Sequence, residues 1–135
     1  MKNILLTLII ATLANVLHAQ EKVRPNKEFT VELSATTIDI KPGESKSVEV
    51  ALLRSKAYSK SNAVLGLSSS LPRGVQISFE PQEGVMEKSM ITISTDGTAK
   101  AGSYTVIINS VIQNKSKGKI LKIVVTESGT TFSQN

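Results

Sequence analysis

Residues 101–127 read AGSYTVIINSVIQNKSKGKILKIVVTE, and this stretch decides the fold. Two runs rich in β-branched residues, Ser103–Ile112 and Lys119–Thr126, flank the polar segment Gln113–Gly118. Asn and Gly in that segment permit tight bending, so the stretch predicts a long antiparallel hairpin with a six-residue loop. Tyr104, Val106 and Ile108 then face inward against Leu121, Ile123 and Val125. The same register sets Val111 beside Ile120 and Ile107 beside Val124 on the outer face.

Upstream, the period of two recurs. Phe29–Ser34 alternates Phe29, Val31 and Leu33 with polar residues, and Thr36–Ile40 repeats the pattern with Ile38 and Ile40. Lys41-Pro42-Gly43-Glu44 is a turn, because Pro presets φ and Gly accepts positive φ. Lys46–Leu53, Ala63–Ser69, Val75–Glu80 and Lys88–Thr95 continue the series, separated by polar or Pro/Gly-bearing segments. No segment carries an apolar stripe at helical spacing. Seven to eight short strands without a helix predict an all-β antiparallel sandwich.

The N-terminus has a different character. Met1–Ala19 combines Lys2, the apolar run Ile4–Leu17 and the small residue Ala19, the pattern of a secretory signal peptide cleaved after Ala19. The apolar run is shorter than the roughly 20 residues that span a bilayer as a helix, so stable membrane insertion after cleavage is not expected. Residues 20–28 read as a polar leader, 29–127 as one domain and 128–135 as a flexible tail. The expected location is secreted or periplasmic. The protein has no cysteine, so packing alone holds an exported domain together. Its formal net charge of +5 is spread along the chain and is not a nucleic-acid footprint.

Three phrases carry a resemblance: Ile40-Lys41-Pro42-Gly43-Glu44, Leu71-Pro72-Arg73-Gly74-Val75 and Ala101-Gly102-Ser103-Tyr104-Thr105-Val106. Together they look like the Ig-like modules of secreted bacterial proteins, accessory domains often appended to exported proteases and glycosidases. The family's usual Gly-Thr-Tyr appears here as Gly-Ser-Tyr, and the Cys–Trp–Cys core of antibody domains is absent. A Tyr following a Gly corner also has a physical reading: its hydroxyl reaches back to the preceding loop as a tyrosine corner. The resemblance implies an Ig-like fold and an exported setting, with no catalytic residue.

Catalytic chemistry is sparse. The single histidine, His18, lies inside the signal segment, which removes Ser-His-Asp triads, Cys-His pairs and ordinary zinc sites from the rest of the chain. Asp39 and Asp96 are the only aspartates, too few for an Asp-rich calcium loop. Glu80, Glu83 and Glu87 cluster in sequence, but around a short loop without tryptophan, where a solvated acidic turn is the simpler reading. Neither enzyme activity nor a cofactor or metal is expected. Asn114-Lys115-Ser116 matches the glycosylation pattern, which has no bearing in a bacterial setting.

Two surfaces remain as candidates. Under the Ig-like arrangement the loops Arg54–Asn62, Pro81–Glu87 and Gln113–Gly118 gather at one end of the sandwich. They bring Arg54, Lys56, Tyr58, Lys60, Lys115 and Lys117 together as a contact site for a protein or an anionic cell-surface polymer. The second candidate is a partner face on the hairpin's outer side, formed by Ile107, Val111, Ile120 and Val124, whose cover would be another protein or a second copy of the chain. The expected function is therefore non-catalytic binding in an adhesion, scaffolding or accessory role. A structural or assembly subunit, docking through a sheet edge or this outer face, is the alternative.

Overall fold

The computed structural model describes residues 23–127. The expected signal peptide and tail lie outside the described residues. Nine strands follow in order: β1 (Phe29–Leu33), β2 (Thr37–Ile40), β3 (Ser45–Arg54), β4 (Ala63–Leu67), β5 (Val75–Glu80), β6 (Glu83–Gly84), β7 (Lys88–Thr95), β8 (Gly102–Ile112) and β9 (Lys115–Val125). The only helical element among the described residues is a single 3₁₀ turn, Lys56–Tyr58. Eight strands stand where the alternation placed them; the ninth is the two-residue β6, too short to leave a periodic signal.

The strands form two sheets, ordered β1-β3-β7-β5 and β2-β9-β8-β4-β6. Naming the strands of an Ig sandwich A to G, this is the A-B-E-D order on one side and G-F-C on the other. Every pairing is antiparallel except β2 with β9, where Thr37–Ile40 runs parallel to Lys122–Val125. One inward face of each strand meets the other sheet: Val48, Val50, Ile91 and Ile93 from one side, Val106 and Leu121 from the other, all buried. Each buried aliphatic side chain of this size contributes about 1.5–3 kcal/mol, which is how a chain without disulfides closes its core.

The tyrosine corner is present. Tyr104 Oη–H donates to the Lys100 carbonyl at 2.8 Å, and its ring lies 3.6–3.8 Å from where a Cβ on Gly102 would stand. A second close approach explains Gly74, at φ +81°: a Cβ there would come within 2.5 Å of the Ala99 amide and 2.7 Å of the Asp96 carboxylate. Gly74 thus lets the turn before β5 dock on the turn between β7 and β8.

The hairpin departs from expectation in its turn. Gln113 and Asn114, at φ 49° and 67°, form a two-residue turn, and β9 begins at Lys115 instead of Lys119. Two successive positive-φ residues give the twist that antiparallel strands favour. Ile107 consequently faces Ile120, Val111 faces Ser116, and Val124 faces Ser103. The expected pairs Val111–Ile120 and Ile107–Val124 are corrected. The shorter turn moves each partner by four residues, an even number, so every side chain stays on its expected face.

Candidate functional site

The three loops do meet at one end, but their chemistry is turned inward. Arg54 continues the inward parity of Val48, Val50 and Leu52 and is only 4% exposed. Its guanidinium donates to the carbonyls of Tyr58 (3.1 Å), Ser61 and Met86 (2.6 Å). It therefore staples the 55–62 loop to the 81–87 loop and is not a ligand contact. Burial lowers its pKa, partly offset by the Glu87 carboxylate. A guanidinium still remains charged at neutral pH.

Tyr58 also belongs to the scaffold. Its ring packs beside Phe29, centroids 5.9 Å apart and tilted by 42°, against the core. Lys117 bonds Glu28 at 2.6 Å and sits 5.7 Å over the Phe29 ring, while Lys115 reaches the same carboxylate at 3.6 Å. The Lys117 hydrogen bond and charge, reinforced by Lys115, hold the Glu28 carboxyl below its ordinary value of 4.5. Gln113 Nε2 donates to the Ala57 carbonyl at 3.2 Å and to Ser61 Oγ at 2.5 Å, closing the cluster. Of the six expected loop contacts, only Lys56 and Lys60 are exposed without an ion-pair partner among the described residues.

The carboxylates expected to be solvated are dispersed into separate roles. Glu83 accepts from Asn62 Nδ2 at 2.9 Å, and Glu87 pairs with Arg24 at 3.2 Å. Among the described residues no cluster of three or more acidic or histidine side chains is arranged to hold a metal ion.

The outer face of the five-stranded sheet behaves differently. Register places its side chains in rows across β4, β8 and β9: Val64–Val111–Ser116, then Gly66–Asn109–Gly118, then Ile107–Ile120. The exposures are 41% at Val64, 38% at Val111, 37% at Ile107 and 59% at Ile120. Val124 shares the face but is half-buried two rows beyond Ile120, beside Ser103 and Asp39. Val64, opposite Val111, is the member that the hairpin alone did not reveal. Its outward position was readable from Leu65, because the neighbour of an inward residue points out. Asn109 is the polar centre of the patch, and Ser116 Oγ–H donates to its Oδ1 at 2.7 Å. Sheet faces that meet water normally carry polar residues at these positions.

No protein-family model matches the chain, and no curated protein sequence does. Solved structures do match in fold. A family 123 glycoside hydrolase from Clostridium perfringens, studied for glycolipid glycan hydrolysis, superposes with a TM-score of 0.54 at 12% identity, over 76% of this chain and 28% of that one. The VesB protease of Vibrio cholerae gives 0.49 at 13% identity, over 71% of this chain and 31% of its own. An endo-fucoidan hydrolase of glycoside hydrolase family 107 gives 0.49 at 12%, over 73% and 14%. The chain spans less than a third of each of these proteins. The likeness to the family 123 enzyme supports the β-sandwich and nothing about chemistry. No helix among the described residues is long and apolar enough to cross a membrane.

Proposed function

We propose that this protein is an exported, non-catalytic Ig-like module that works by docking a protein partner on the outer face of its five-stranded sheet. One observation carries the reading: Val64, Val111, Ile107 and Ile120 converge on one exposed face from three adjacent strands. At about 25 cal/mol per Å², covering such a patch is favourable without any charged contact. The alternative loop site is weaker, because Arg54, Tyr58, Lys115 and Lys117 are spent on internal contacts. Export rests on the Met1–Ala19 pattern and predicts Gln20 as the first residue of the mature protein, checked by N-terminal sequencing.

The docking test compares the immobilised wild type with two variants in envelope extract. Ile107→Lys is expected to lose the retained protein, whereas Lys56→Glu/Lys60→Glu is expected to keep it. Retention that survives Ile107→Lys and disappears with the loop variant would transfer the function to the loop end, with an anionic polymer as the favoured ligand.

A further inference from the structure

We infer that the occupant of this outer face is the same face of a second copy of the chain. The inference rests on the docking reading and names its partner. Shape is the first argument. A Cβ at Gly66 would meet nothing within 4 Å, whereas one at Gly118 would meet Ile107 Cγ2 at 2.9 Å. Ile107 therefore lies across Gly118 and levels that side, leaving the floor hollow at Gly66. Ile120, the most exposed of the patch's large apolar residues at 59%, stands two strands away in the next row. At about 4.8 Å per strand, knob and hollow are roughly 10 Å apart across the sheet. An isologous contact requires both halves of the fit on one patch. A two-fold axis passing between them seats each Ile120 in the other copy's Gly66 hollow.

Charge is the second argument. On β4, β8 and β9 the three central rows contain only Val, Ile, Gly, Asn and Ser, with Glu83 of β6 closing the row of Val64 and Lys122 in the row beyond Ile120, on a protein of formal net charge +5. Charge is thus confined to the rim of the patch, and two like-charged copies repel least through its centre. Size sets its strength. The three rows span about five residues of β8 and three strands. At about 3.3 Å per residue and 4.8 Å per strand they cover roughly 250–300 Å² per copy. That is well below the ~800 Å² per partner of a standard interface, so the dimer expected is weak and reversible.

The experiment is sedimentation equilibrium of the purified protein, its Ile120→Lys variant and its Gly66→Val variant. Gly66→Val fills the hollow from a position with open space and no positive φ, so its thermal midpoint should not fall. The wild type is expected to show a concentration-dependent monomer–dimer equilibrium, and each substitution to weaken it at least about tenfold, the scale of losing an interface anchor. A wild type that stays monomeric up to about 1 mM overturns the inference, as does a dimer that neither substitution weakens. A monomeric wild type whose capture of an envelope protein is lost in Ile120→Lys also overturns the second copy, yet leaves the docking reading standing.

Discussion

At position 54 the period-two pattern of Val48, Val50 and Leu52 meets a charged side chain, and the pattern wins. The cost of burying the guanidinium is offset at both terminal nitrogens by carbonyls from two loops, with Nε alone left without a partner among the described residues, which makes Arg54 the organiser of that end of the sandwich. Arg54→Met keeps the length and removes the donors; the predicted loss is about 1.5–3 kcal/mol, measured as a lowered urea midpoint. Sequence composition suggested a ligand contact here, whereas the strand's parity already pointed inward. Ser110 is the opposite case. Its hydroxyl is fully buried on β8 and finds no partner among the described residues. Ser110→Ala is predicted to raise stability by about 1 kcal/mol in the same assay, because an uncompensated polar group is removed. A fall instead would show that the hydroxyl is hydrogen-bonded in solution.

Among the elements, the hairpin separates what the sequence makes legible from what it hides. Its inward and outward faces follow from alternation and survive any even shift, so the core and the apolar outer face are both readable. Its register was not, because Lys115, Ser116, Lys117 and Gly118 have loop composition yet extend β9. The strand tolerates Gly118 because Ile107 occupies the space of its missing side chain. The lysines 115 and 117 are drawn into the strand by Glu28, a long-range pairing that no local pattern encodes. The two-residue turn is tested at Asn114, where φ is 67°. Asn114→Val should lower stability by about 1–2 kcal/mol, since a β-branched residue resists the left-handed region, whereas Asn114→Gly should not lower it. Equal behaviour of the two variants in denaturant unfolding would contradict the turn.

At the scale of the whole molecule, two carboxylates among the described residues contribute to the acid limb of stability. Glu28 is held below its ordinary 4.5 by Lys117 and Lys115. Asp96 is held below 3.8 chiefly by the Thr98 hydroxyl, at 2.5 Å, and then by the Thr98 amide, at 2.7 Å. Both pKa values are depressed in the folded state, so their contribution is complete above the unfolded values and is lost as pH falls through the folded ones. The contribution of these two groups should therefore be complete from about pH 5 up to neutral pH and decline on acidification, with Glu28→Gln reducing the slope in a pH series of thermal midpoints. The proposed docking role rests on one face. The loop end is consumed by internal bonding, while the outer face of the five-stranded sheet presents an uncharged apolar patch to solvent. NMR of protein labelled at both its isoleucine methyls and its backbone amides tests this most directly, recorded across a concentration series and then with envelope extract. The expected result is shifts at Ile107 and Ile120 and their protection from a soluble paramagnetic reagent, with the backbone amides of Lys56 and Lys60 unmoved. Shifts confined to Lys56 and Lys60, with Ile107 and Ile120 unchanged and still relaxed by the reagent throughout, would contradict it.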